Sequence, residues 1–305
     1  MLKKILSIIR KPFKLYRIKK KIGVFFLKKR KYKCDKSQLI SFGKISLGYK
    51  MDLDNPKTFN EKINWYKLNY KNDLMPICAD KYAVREYIKK KGLEDILVKN
   101  YGVYDSVEEI DFSKLPNEFV VKVTGDSGGV VICKEKSKFR SLIGDKFAYL
   151  KKDYSNDNKE WVYHHIVNRL TVEELIKTKD GKSPKDYKFF CFNGEPKFLF
   201  VASDRDKEVK FDFFDINWNK LNVRQGHANS KTRILKPKKL DQMLEICRIL
   251  SKDFPHVRVD LYYENDTIYF GELTFFHFSG MTPFRPRKFD HKFGEFFDIS
   301  TIFDS

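Results

Sequence analysis

The sequence predicts an α+β protein, in which antiparallel strands pair locally and helices pack beside them, not a doubly wound parallel sheet. Three stretches carry that expectation. Residues 257–274, VRVDLYYENDTIYFGELT, read as a β-hairpin: Val257, Val259 and Leu261 alternate with Arg258, Asp260 and Tyr262, and Glu264-Asn265-Asp266-Thr267 is turn chemistry. Residues 118–133, EFVVKVTGDSGGVVIC, read as a second pair of strands around a glycine-rich turn. Helix signals stand apart from these hairpins, and the clearest is the capping box Thr58-Phe59-Asn60-Glu61.

In chain order, Leu2, Ile5, Leu6, Ile9, Phe13 and Tyr16 recur at helical spacing within residues 1–33, a segment with fourteen Lys and Arg and no acid. The capping box opens a helix that runs to about Tyr70. Asp80 caps a second helix that ends near Gly92, behind Lys89, Lys90 and Lys91. The strand 118–123, the turn TGDSGG and the strand 130–133 follow, then a helix over 138–151 and a polar loop over 153–160. Further strands are expected near 166–176, 187–192 and 197–202, and a helix from Leu240 to Lys252 leads into the last hairpin. This order divides the chain into a basic tail and linker (1–48), a helical lobe (49–115), a lobe carrying the glycine-rich turn (116–185) and a lobe carrying the last hairpin (186–305).

A chain of 305 residues with 28 Phe and 16 Tyr has core material for two or three lobes. Its five cysteines are far apart and form no CxxC pair, which fits reduced thiols in a cytoplasmic protein. No HExxH or HxH pattern occurs, and His164-His165 reads as a partly buried structural pair. Lysines interrupt every apolar run of residues 1–33, so the segment is neither a signal peptide nor a membrane span. A basic amphipathic segment can serve an anionic lipid surface, a nucleic acid or only solvent. Its bulky Ile, Leu and Phe residues favour the lipid surface, which places the protein peripherally at the inner face of a membrane. Outside the tail there is no nucleic-acid motif, so no nucleic-acid partner is expected.

The last hairpin raises a charge problem. An odd-numbered connection puts Asp260 opposite Glu272, with Arg258 and Tyr262 on the same face and Tyr269, Gly271 and Leu273 beside the apolar set; an even-numbered one puts Asp260 opposite Gly271. The apolar pattern favours the odd connection. Facing carboxylates repel unless positive charge lies between them. A divalent cation such as Mg²⁺ would supply it, and so would a solvated arginine. The turn TGDSGG is likewise open to two readings: an ordinary hairpin turn, or a loop whose backbone N–H groups wrap an anion beside Lys122. It is not a Walker A loop, since GK[ST] is missing and a strand follows.

Together the motifs resemble the ATP-grasp superfamily over roughly residues 50–300: Asp80-Lys81 opening a helix, FVVK with Lys122, the glycine-rich loop, VEELI at 172–176, and the RVD, GEL and SGMTPF segments. The last part is similar to the metal-binding end of D-alanine–D-alanine-ligase-type enzymes. NPKTFNEKINWYK, ADKYAVREYIKKKG, DYKFFCFNGEPKF and GELTFFHFSG are similar to the TupA-like branch, named for teichuronopeptide biosynthesis. That resemblance implies an ATP-grasp fold, two α+β lobes clasping ATP.

It also implies roles. Lys81 and Lys122 would neutralise phosphates, and Gly125, Asp126, Ser127, Gly128 and Gly129 would fold over them. Glu173, Glu174 and Ile176 would hold adenine and ribose, with Asp186 and Lys188 near the ribose or phosphates and Lys188 also counted with the catalytic set. Asp260 and Glu272 would bind Mg²⁺, and Arg258 would face the reacting carboxylate. Thr274 stands where the superfamily commonly has Asn, which leaves a second metal position in question. The implied activity is an ATP-dependent carboxylate–amine ligase that joins an amino acid to a uronic-acid unit of a surface polysaccharide. A glycosyltransferase using a sugar nucleotide is the alternative, although no clear DxD is present.

Overall fold

The computed structural model describes residues 23, 27, 30–125, 128–143 and 158–302. The basic segment 1–33 lies outside them apart from residues 23, 27 and 30–33. The helices are α1 (Asp35–Leu47), α2 (Phe59–Asn69), α3 (Leu74–Ala79), α4 (Val84–Lys90), α5 (Phe139–Ile143), α6 (Leu240–Ser251) and α7 (Lys288–Glu295). The strands are β1 (Asn100–Tyr104), β2 (Phe119–Val123), β3 (Val130–Cys133), β4 (Leu170–Glu174), β5 (Asp186–Phe192), β6 (Glu195–Ser203), β7 (Lys210–Asp215), β8 (Lys220–Leu221), β9 (Arg224–Gln225), β10 (His256–Glu264), β11 (Thr267–Thr274) and β12 (Phe284–Arg285). They form a four-stranded sheet β1-β4-β2-β3, a six-stranded sheet β11-β10-β5-β6-β7-β8 and the pair β12-β9. Every pairing is antiparallel, as the α+β expectation requires.

The capping box at α2 is formed in full. Thr58 Oγ1 accepts from the Glu61 N–H at 3.2 Å, and Glu61 Oε2 accepts from the Thr58 N–H at 2.9 Å. One stripe of α2 sends Phe59, Ile63 and Tyr66 into the core. The neighbouring stripe is polar but buried: Asn60 donates to Asp290 of α7, while Asn64 and Lys67 donate to the carbonyls of Gly280 and Ser279. Asp80 accepts from the N–H groups of Tyr82 and Ala83, so it caps a turn, and the helix proper starts only at Val84. The strand expected over 166–176 is confined to β4, because residues 161–165 form a 3₁₀ turn and the chain extends only after it. His164 and His165, expected partly buried, are both exposed on that turn.

The two faces of the large sheet differ. One packs on α6 through Val257, Val259 and Leu261 of β10, all fully buried. The other is aromatic along most of its length. Phe190, Phe198 and His256 lie against Phe59 of α2, and Phe198 stacks on Phe293 of α7 at 3.8 Å between centroids. Beyond this layer the same face turns polar, at Asp186 and Lys188 of β5, Arg258 and Asp260 of β10, and Glu272 of β11.

The hairpin reaches the expected pairing by an unexpected route. Asp260 does face Glu272, but the connection is even: Glu264 pairs with Thr267 around Asn265 and Asp266, both at positive φ as in a type I′ turn. A β-bulge at Gly271 restores the alignment, because the register shifts by one between Asp260 and Leu261. The bulge also changes the apolar partners. Ile268 and Phe270 turn to the core in place of Tyr269 and Gly271, which the odd connection had put there. Gly271 is required by close approach, since a Cβ there would lie 2.9 Å from the Asp260 carbonyl oxygen. Gly271→Ala is therefore expected to destabilise the fold by about 1–3 kcal/mol, the usual cost of overpacking; the urea midpoint measures it, and an unchanged midpoint would contradict the bulge.

Candidate active site

The polar patch is built around Arg258. Its Nε and Nη2 donate to the two oxygens of Asp260, each at 2.7 Å. Nη2 also reaches Glu272 Oε1 and Thr274 Oγ1, both at 3.0 Å. Lys188 Nζ contacts the Asp260 carboxylate, lies 2.7 Å from Asp186 Oδ2 and stands 3.9 Å from Glu272 Oε1. Arg205 completes the group, 3.5 Å from Asp186 Oδ2. Three carboxylates thus face three cations on one sheet face. Asp260 is almost wholly buried, whereas the Glu272 side chain keeps 33% of its surface exposed.

Burial sets the electrostatics. It works against the Arg258 guanidinium and the Lys188 ammonium, but the adjacent carboxylates outweigh it and both are raised. For Glu272 burial pushes upward, yet the charges of Lys188, Lys81 and Arg258 prevail and hold it well below the usual carboxylate range. Asp260 goes the other way: burial raises it, Arg258 and Lys188 pull it down, Asp186 and Glu272 push with burial, and it is raised to about 7. Asp186 Oδ1 is buried with no hydrogen-bond partner, an orphan acceptor on the floor of this patch.

The glycine-rich turn joins β2 to β3 in the other sheet. The Val123 N–H donates to the Gly129 carbonyl at 2.8 Å and the Val130 N–H to the Gly128 carbonyl at 3.0 Å, while the Gly125 N–H is held by Asn168 Oδ1 at 3.2 Å. Asp126 and Ser127, expected at its tip, lie outside the described residues. Lys81 is drawn to the base of the turn, its backbone N–H 3.1 Å from the Thr124 carbonyl. Lys122 Nζ makes a buried ion pair with Glu173 Oε2 of β4 at 2.6 Å, so Glu173 is committed to a lysine on its own sheet. Glu174 ends β4 exposed, and Ile176 follows it half-buried. The two sheets meet electrostatically, for the charge of Glu272 acts on Lys122 and that of Lys81 acts on Glu272.

Several members of the site were not singled out from sequence. Arg205 follows β6 in a turn with no recognisable motif. His277 and Gln225 form a buried relay behind Arg258, with His277 Nδ1 2.6 Å from Arg258 Nη1 and His277 Nε2 2.8 Å from Gln225 Oε1. Tyr163, on the 3₁₀ turn, feels Glu160 and Glu272 once burial has raised its phenol. A signal existed for His277 alone, in the GELTFFHFSG stretch. Thr274 is occupied as well: its hydroxyl accepts from Arg258 and lies 3.3 Å from Glu272 Oε1.

The family model described as TupA-like ATPgrasp matches residues 61–298. The chain is an ATP-grasp protein, and within that class it belongs to the TupA-like family. Solved structures to which it is similar include an L-amino acid ligase from Bacillus licheniformis (15% identity, 72% of this chain and 49% of that one, TM-score 0.43). A D-alanine--D-alanine ligase from Bacillus anthracis is another (19% identity, 65% and 57% covered, TM-score 0.42). A third is the biotin carboxylase domain of the Hydrogenobacter thermophilus 2-oxoglutarate carboxylase, in complex with MgADP (15% identity, 65% and 40% covered, TM-score 0.40). The chain therefore spans 40–57% of the length of these three structures. None of the curated proteins compared matches it.

The Lys122–Glu173 pair gives a direct check on the local electrostatics. Lys122→Met leaves a buried carboxylate unpaired and should cost about 3–5 kcal/mol, most of which Glu173→Gln added to it should restore. Additive losses in the double variant, read from denaturation midpoints, would contradict the pairing.

Proposed function

We propose that this protein is an ATP-dependent carboxylate–amine ligase, with ATP held between the glycine-rich hairpin and the polar face of the large sheet. The observation that carries the reading is the Asp260–Glu272 pair, facing across β10 and β11 with Arg258 and Lys188 bridging it. Mg²⁺ takes one or two carboxylates plus phosphate oxygens, and the donor set fits it: two facing carboxylates, one of them partly exposed, beside the orphan oxygen of Asp186. Asp260 and Glu272 would hold the ion. When bound, it would offset charge on the phosphates.

The chain's own residues then act by position and charge. Lys81 and Lys122 would meet the phosphates from the small sheet, together with the N–H groups of the turn around Gly128 and Gly129. Glu174 and Ile176 would border the base. Lys188, between Asp186 and Asp260, would neutralise the oxygen leaving with ADP. A substrate carboxylate oxygen attacks the γ-phosphorus, the bond from that phosphorus to the β-bridging oxygen breaks, and an acyl phosphate and ADP result. The amine nitrogen then attacks the acyl carbon, phosphate leaves, and the amine gives up a proton. Arg258 would stabilise charge on the oxygens in both steps.

Family membership supports a finer reading: an amino acid as one partner and a uronic-acid unit of a surface polysaccharide as the other. A lipid-linked acceptor at the inner membrane face would suit the fourteen basic residues of segment 1–33. No described helix is long and apolar enough to cross a membrane.

Thermal unfolding tests the reading. Mg·ATP at a hundredfold excess over its Kd should stabilise the protein by about 2.7 kcal/mol. Glu272→Gln should keep the fold but lose the Mg²⁺-dependent part of that shift. A shift with a UDP-sugar and none with Mg·ATP would favour the glycosyltransferase instead.

Electrostatic binding through segment 1–33 makes a separate prediction. The full chain should sediment with vesicles rich in phosphatidylglycerol, and the bound fraction should fall as salt rises from 0.05 to about 0.5 M, since each basic residue contributes about 1 kcal/mol at low salt. Salt-independent sedimentation, or equal binding to phosphatidylcholine, would overturn the anionic-surface assignment.

A further inference from the structure

Arg258 is held more tightly than an ion pair alone requires. A guanidinium has five N–H groups in a fixed fork. The Nε group goes to Asp260, and Nη2 serves Asp260, Glu272 and Thr274. One N–H of Nη1 goes to His277. Among the described residues the second N–H of Nη1 meets no acceptor. The fork therefore offers a single donor beyond the groups that hold it, and what fixes Nη1 fixes the aim of that donor.

The tautomers along the relay follow from donor chemistry. Arginine can only donate, so Nδ1 of His277 accepts. A neutral ring then carries its proton on Nε2 and donates to Gln225 Oε1 at 2.8 Å. The amide of Gln225 is oriented in turn, because its Nε2 donates to the Thr282 carbonyl at 2.9 Å. Gln225 sits on β9, paired with Phe284 of β12, so the far end of the relay rests on backbone. The ring of His277 is walled by Phe190 and Phe200, and Phe200 also lies under the guanidinium.

The backbone of this segment is arranged for the same end. Phe278, Ser279 and Gly280 follow His277 at φ of 47°, 54° and 58°, a left-handed run that side chains seldom adopt. Asn64 and Lys67, one turn apart on α2, bond the Gly280 and Ser279 carbonyls and hold the run in place. A Cβ at Gly280 would lie 2.6 Å from Asn64 Nδ2, so the chain passes close against α2 there.

We propose that His277, through Gln225 and Thr282, is a positioning residue that locks the Arg258 guanidinium in the one orientation that points its remaining N–H at a substrate or phosphoryl oxygen. The proposal rests on the ligase reading above. It assigns to the relay a role in the transition state and none in binding nucleotide, since among the described residues neither His277 nor Gln225 hydrogen-bonds the glycine-rich hairpin.

Two variants and one spectrum test it, with Mg·ATP as the probe and ADP release as the rate. H277F keeps ring volume but has no acceptor. H277N places an amide oxygen near the lost Nδ1. ADP release by H277F should fall at least tenfold with its Kd for Mg·ATP unchanged, and H277N should recover most of that rate. Equal rates in wild type and H277F would overturn the proposal. So would a loss in H277F matched by an equal loss of nucleotide affinity, or one that H277N fails to relieve, because both mark a merely structural histidine. Should H277F not fold, ¹⁵N NMR of the wild-type histidines decides: His277 must show an unprotonated Nδ1 and a protonated Nε2, and the reverse pattern sinks the relay. Absence of any Mg·ATP effect on the wild type would instead count against the ligase reading.

Discussion

The structure is organised around one constraint: the Asp260 carboxyl group sits where charge is costly, and burial raises its pKa to about 7 despite two cationic partners. A carboxylate this deeply buried persists only with partners, and here Arg258 and Lys188 both supply them. Everything that sets the site follows from keeping those partners in contact. The bulge at Gly271 brings Glu272 level with Asp260. The unshifted pairing of β10 with β5 brings Lys188 level with it from the other side. The aromatic layer around Phe59 and Phe190 dries the floor on which Arg258 lies, and α2 and α7 hold that layer down.

Such a cluster is a poor device for stability. Buried ion pairs seldom outperform well-packed apolar residues, because desolvation offsets the attraction. On the proposed function its merit would lie in what it does to an incoming polyanion. Around Asp186, Asp260 and Glu272 the charges of Lys188, Arg205 and Arg258 already balance, and from the other sheet come Lys81 and Lys122, the latter paired with Glu173. On the proposed function the patch would accept phosphates together with a cation, and a preorganised array of this kind need not reorganise as charge shifts during transfer.

Much of this was legible in the residues. The alternation in VRVDLYY marks β10 and its two faces, and the capping box marks α2 to within a residue. The pairing of Asp260 with Glu272 was reachable, but the route to it was not: an odd loop and an even loop with a bulge produce the same pairing, and a lone glycine inside a strand was the only sign of the second. Elements set by tertiary packing were harder to see. The strands β8, β9 and β12 have two residues each, too few for any period. Arg205, Gln225 and His277 reach the site from separate segments, and no local pattern links residues that only the fold brings together. Burial of the charged pair was also hidden, since Arg and Asp at alternate positions read as a solvated face until the layer that covers them is known.

The most direct measurement is a crystal structure of the full chain with Mg²⁺ and a non-hydrolysable ATP analogue. The account predicts a six-coordinate ion within about 2.1 Å of oxygens from both Asp260 and Glu272, bridged to phosphate oxygens beneath the glycine-rich turn. Nucleotide bound away from β10 and β11, with both carboxylates still engaged only by Arg258 and Lys188, would contradict it.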